Sequence, residues 1–169
     1  MFKRLMLTLC LMLCAWSGAR ADDPKVQLMF VQTAAGLQAD DQTLRLVNVN
    51  PQTLFFSDRP VRLAGHMTMA AYMGEWRKGA GANNFASDPP NATLSVFQSG
   101  QPDSKLVVVK LTQPEVVGND LVYHYKVVEG SMPKSGGQSA LFIDWIGVGG
   151  GVGVGFHGVG VGFRGPGFR

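Results

Sequence analysis

Ten residues, Ser57-Asp58-Arg59-Pro60-Val61-Arg62-Leu63-Ala64-Gly65-His66, hold the densest polar chemistry in this 169-residue chain. Two guanidiniums, a carboxylate and an imidazole suit an acidic or sugar ligand, because Arg presents a rigid fork of donors. The same residues also have a structural use: Asp58 can accept turn amides, Arg59 can pair with it across the corner, and His66 can fix the entry to a helix. Strand alternation puts Arg59 and Arg62 on opposite faces, which weakens a joint clamp. A second polar segment, Asp88-Pro89-Pro90-Asn91, reads as a rigid loop, since its prolines fix two φ angles and restrict Asp88. The candidate ligand-binding set is therefore Asp58, Arg59, Arg62, His66, Asp88 and Asn91.

Other chemistries have thinner support. Ser57, His66 and Asp88 form a hydrolytic triad on paper, but no Gly-x-Ser-x-Gly elbow accompanies them. Met67, Met69 and Met73 beside His66 suit Cu(I), yet Met69 and Met73 also fit the buried stripe of a helix. Zinc needs three or four placed ligands, and the body of the chain offers only His66 and His124 and no cysteine. His124 alternates with Val122 and Lys126, opposite Leu121, Tyr123, Tyr125 and Val127, so it reads as a solvent-facing strand residue. Glutamate occurs only at Glu75, Glu115 and Glu129, which gives no support to a glycosidase carboxylate pair. The expectation is a non-enzymatic protein with no cofactor and no metal.

The elements that carry these residues read as β almost throughout. Apolar runs at 26–34, 43–49, 53–57, 61–64, 93–98, 106–111, 121–128 and 140–146 are bounded by Gly, Pro, Asn, Asp or Ser. Their spacing, without helical patterns between them, argues for a sandwich or barrel rather than a parallel sheet. The expected fold is all-β: an antiparallel β-sandwich with one short helix. Thr68 caps that helix, Met69, Tyr72, Met73 and Trp76 make its apolar face, Arg77 and Lys78 sit in its last turn, and Gly79 stops it.

The runs FFSDRPVRLAGHMT (from Phe55) and FASDPPNATLSV (from Phe85), with the Trp76 helix between them, resemble a pattern in uncharacterised exported bacterial proteins. The likeness covers most of 26–146 and ends with Leu141-Phe142-Ile143-Asp144. It implies a folded exported module and carries over no catalytic residue.

Residues 1–21 point to export as well. Lys3 and Arg4 precede an uncharged Leu/Met-rich run, and Ala19-Arg20-Ala21 is a signal-peptidase pattern. The run is too short for a membrane-spanning helix. Leu9 and Leu13, before Cys10 and Cys14, are too large for a lipoprotein signal. Cleavage would remove both cysteines and three basic residues, taking Lys+Arg from 15 to 12 against 12 Asp+Glu. A neutral mature chain without a basic cluster argues against nucleic acid as a partner. The expected product is periplasmic or secreted, with no transmembrane segment left. It is a binding or interaction module for an unknown ligand or an envelope protein.

Residues 22–146 are enough for one core. Residues 147–169 differ abruptly, with 11 of the chain's 22 glycines and a near-repeated GVGVGF. Glycine loses the most backbone freedom on ordering, so a flexible tail is expected. The alternative is a sticky Val/Phe strand that mediates weak self-association or makes the protein a structural envelope component. A chain ending at Gly147 should keep its melting temperature and lose any concentration-dependent assembly, as thermal unfolding and sedimentation would report.

Overall fold

The computed structural model describes residues 28–58, 62–77 and 84–144. The sequence-expected signal peptide (1–21) and glycine-rich tail (147–169) lie outside them, as do both expected ends of the folded unit, residues 22 and 146. The described elements are β1 (Met29–Ala39), β2 (Thr43–Val49), β3 (Gln52–Ser57), β4 (Leu63–Thr68), α1 (Met69–Gly74), β5 (Asn91–Val96), β6 (Lys105–Val117), β7 (Asp120–Glu129), β8 (Ser135–Gly136) and β9 (Ser139–Asp144). No described helix is long and apolar enough to cross a membrane.

The fold is antiparallel β with one short helix, as the patterning predicts, but the strands close into a six-stranded barrel rather than the expected pair of stacked sheets. The ring runs β1–β2–β7–β6–β5–β9 and returns to β1. Closure rests on the length of β1. Its first residues pair with β3 (Met29 with Phe56, Val31 with Leu54), and its later ones with β2 (Ala34 with Val49, Ala39 with Leu44). On its other side, β9 is followed by β8. Alternate burial is common to sandwiches and barrels, so period two alone does not tell them apart.

Local chemistry sets the element boundaries. β4 continues through Gly65 and His66 to Thr68, beyond its expected end at residue 64, because Gly65 lies opposite Phe55 and leaves room for the ring. β6 runs past Pro114, where a register shift between Thr112 and Glu115 absorbs the missing donor and Gln113 adopts φ 49°. Thr68 caps α1 as expected, its Oγ1 accepting from Ala71 N at 3.2 Å. The expected placement of Arg77 in the last helical turn is corrected. The helix ends at Gly74, and the N–H groups of Glu75, Trp76 and Arg77 bond three residues back in tightened turns. Lys78 lies outside the described residues.

The β3–β4 hairpin and α1 cover part of the ring, burying Phe55, Met67 and Tyr72 with Phe30, Phe85 and Tyr123. Phe30 meets Phe85 edge-on at 5.5 Å between centroids, and Trp76 meets Phe85 at 5.0 Å. A buried polar chain crosses this apolar interior. Gln32 Nε2 donates to Thr53 Oγ1 at 3.2 Å, and Tyr123 OH donates to Gln32 Oε1 at 2.7 Å. The Tyr72 and Tyr123 hydroxyls are 2.8 Å apart, so Tyr72 must be the donor to Tyr123.

Two outcomes follow from this packing. A Cβ at position 65 would stand 2.6 Å from Phe55 Cζ. Gly65→Ala should cost about 1–3 kcal/mol in urea unfolding, partly recovered by Phe55→Leu in the same chain. Burial also pushes the phenol groups of Tyr72 and Tyr123 above their ordinary range. The folded state then holds protons that the unfolded chain releases near pH 10, so this stabilisation is present below about pH 10 and lost as pH rises above it. Urea midpoints measured between pH 8 and 11 should fall at the alkaline end, and less steeply in a Tyr72→Phe, Tyr123→Phe double variant.

Candidate functional site

The ring interior beside α1 is filled by buried aromatic side chains, so recognition chemistry must be sought on the outside. Strand registers bring His66, Leu54, Val31, Phe142, Thr93 and Val108 side by side across β4, β3, β1, β9, β5 and β6. The next outward-facing row holds Ala64, Phe56, Met29 and Asp144, and the same register continues to Asn91 and Lys110. Leu54 is 49% exposed, Phe56 41% and Phe142 37%. Large apolar side chains thus share one outer face, an arrangement more often associated with contact surfaces than with a solvated wall.

The sequence-predicted polar residues lie around this face. Asp58 and Arg62 stand at the tip of the β3–β4 hairpin, where Arg62 Nε meets Asp58 Oδ1 at 3.0 Å in a largely exposed ion pair. Arg59, between them, lies outside the described residues. His66 is exposed at the β4 end of the first apolar row. Asn91 opens β5 in the second row. Asp88 is exposed in the loop before it, its N–H bonded to Asn84 O at 3.0 Å. Asn84 Oδ1 accepts from Ala86 N and Ser87 N, both at 2.9 Å, and shapes this loop. β1 and β9 separate the hairpin from β5, a lateral gap of about 14 Å at ordinary strand spacing. The structure therefore joins Asp58 to Arg62 and leaves His66 and the Asp88–Asn91 segment as separate edges of one face.

Alternation dissolves two assemblies that the sequence allows. Ser57 is buried on the inner side of β3, whereas His66 projects outward, so the paper triad has no common cleft. Met67 is buried and His66 exposed as successive strand residues, while Met69 and Met73 pack against the core. His124 is exposed, as expected, between Thr43 and Thr112. Among the described residues, no three His, Cys, Asp or Glu side chains cluster as for a metal ion.

Sequence reasoning missed a cleft of about 390 Å³ at the opposite end of β1, lined by residues such as Asp40, Tyr125, Lys126 and Lys134. Asp40 is occupied by its own turn. Its carboxylate accepts from Gln42 N (2.8 Å), Thr43 N (2.6 Å) and Thr43 Oγ1 (2.8 Å), while its carbonyl accepts from Tyr125 OH (2.6 Å). The Gln42 and Thr43 amides hold its carboxyl below the usual range. The Asp40-Asp41 turn signal was visible in the sequence, but the long-range Tyr125 contact was not.

Because the Asp58–Arg62 pair is exposed, Arg62→Ala should change stability by less than about 1 kcal/mol in urea unfolding. A larger loss would mean that the pair braces the hairpin. Comparison of this chain and its fold with known protein families, curated proteins and solved structures gives no match.

Proposed function

We propose that this chain is an exported, non-enzymatic binding module that docks a protein partner of the cell envelope on the outer face of β3, β1 and β9. The observation that carries the reading is the outward grouping of Leu54, Phe56 and Phe142 in adjacent register rows. The hairpin pair Asp58–Arg62, His66 and the Asp88–Asn91 loop supply a polar rim, which sets orientation while the apolar centre supplies binding energy. Arg59 belongs to this proposed rim by its place in the sequence. The residue pattern of 1–21 supports export, and the filled barrel interior supports recognition on the surface.

A photo-crosslinking residue at position 54 or 142 of the full chain, expressed in cells, should give a discrete protein adduct. The same residue at position 128, on exposed β7, should not. Leu54→Glu should abolish the adduct at 142 while leaving stability within about 0.5 kcal/mol, as for most exposed sites. Equal labelling at all three positions, or none at 54 and 142, would overturn the assignment.

A further inference from the structure

We infer that a groove across β1, β9 and β5, in the register row next to the apolar face on the same outer side of the sheet, is a binding site for a neutral saccharide. The groove is shallow and open to solvent, with a volume of about 540 Å³. Its floor is made of small outward side chains: Thr33, Ala140 and Ser95 lie in one register row. Phe97 follows β5 directly and is tied to the β8–β9 connection by Phe97 N to Gln138 O (3.0 Å) and Gly137 N to Phe97 O (2.8 Å). It is 51% exposed and walls one side. Asn48, Asn50 and Pro51 wall the other. At ordinary strand spacing the floor from β5 to β1 is about 10 Å wide, enough for a sugar ring.

The lining chemistry selects the ligand class. Among the described residues, no Asp, Glu, Lys, Arg or His lines the groove, so its side chains carry no charge to pair with a charged ligand. An exposed phenyl ring gives a flat apolar surface for the C–H face of a pyranose. Thr33, Ser95, Asn48 and Gln138 supply hydroxyls and amides that both donate and accept, which matches the dual character of sugar hydroxyls. Their side chains make no hydrogen bond among the described residues. Asn50 Oδ1 accepts from Gln52 N at 3.0 Å, which leaves its amide N–H₂ to donate.

The wall is preformed. Asn48 holds φ 50°, a conformation Asn tolerates better than most residues, and its N–H donates to Asp120 Oδ1 at 2.8 Å. Arg45 Nη1 fixes the same carboxylate at 2.9 Å. Asn50 N donates to Thr33 O at 2.8 Å and ties the wall to the floor. Such bracing lowers the ordering cost of binding.

The test uses the full mature chain with cellotriose, maltotriose and triacetylchitotriose as probes, read by saturation-transfer NMR and calorimetry. At least one should bind, and Phe97→Ala should weaken it at least about tenfold, with Gln138→Ala weakening it less. Leu54→Glu, which tests the protein-docking face, should leave saccharide binding unchanged. Circular dichroism confirms that each variant is folded. Absence of binding by all three probes up to roughly 10 mM, or binding that survives Phe97→Ala, would overturn the assignment without touching the proposed docking face.

Discussion

The pairing of β1 with four other strands is the constraint on which the barrel depends. Over eleven residues it exchanges β3 for β2 on one side and β9 for β8 on the other. That exchange closes the ring, and it also demands a change in direction of the wall. The buried positions of β1 move from even to odd numbers between Ala34 and Leu37. Those of β2 move in the same way between Leu46 and Val49, where Asn48 takes its left-handed conformation. Because both strands shift together, each keeps its apolar residues inside. The fork left between β3 and β2 is also where the neutral groove opens, so architecture and candidate binding chemistry share one origin.

The interior chain from Tyr72 through Tyr123 and Gln32 to Thr53 explains how α1 finds its place on the barrel. Apolar packing is tolerant of small slips, whereas a buried hydrogen-bond chain is satisfied in few arrangements. Losing one member leaves another without a partner in a desolvated site, typically at a cost of about 1–3 kcal/mol. The chain therefore adds specificity to a core whose bulk stabilisation comes from Phe30, Phe85 and the aliphatic ring residues. It also occupies volume that a ligand would need, which leaves the candidate recognition surfaces on the outside.

The candidate residues illustrate what local spacing can and cannot reveal. Local spacing offered Asp58 the neighbouring Arg59 as its partner, whereas the observed ion pair is with Arg62, four residues on. His66 and Asn91 came from the same reading, but their relation to Leu54 and Phe142 depends on β1 and β9 standing between them. Phe97, Asn48 and Gln138 carry no motif, and no sequence signal joins them. Alternation alone was enough to separate Ser57 from His66 once both were known to lie on paired strands of one hairpin.

The amino-acid order by itself determined the β-rich class, the Thr68-capped helix, the exposed setting of His124 and most strand centres. These follow from period-two burial, turn residues and capping, all of which act over a few neighbouring positions. Only the tertiary structure decided that the sheet closes into a ring, that β4 extends through Gly65, and that the polar candidates border an apolar face rather than meet in a cleft. Each of these depends on pairings between segments far apart in the chain. The free energy of such pairings comes from jointly buried surface, which no local pattern encodes.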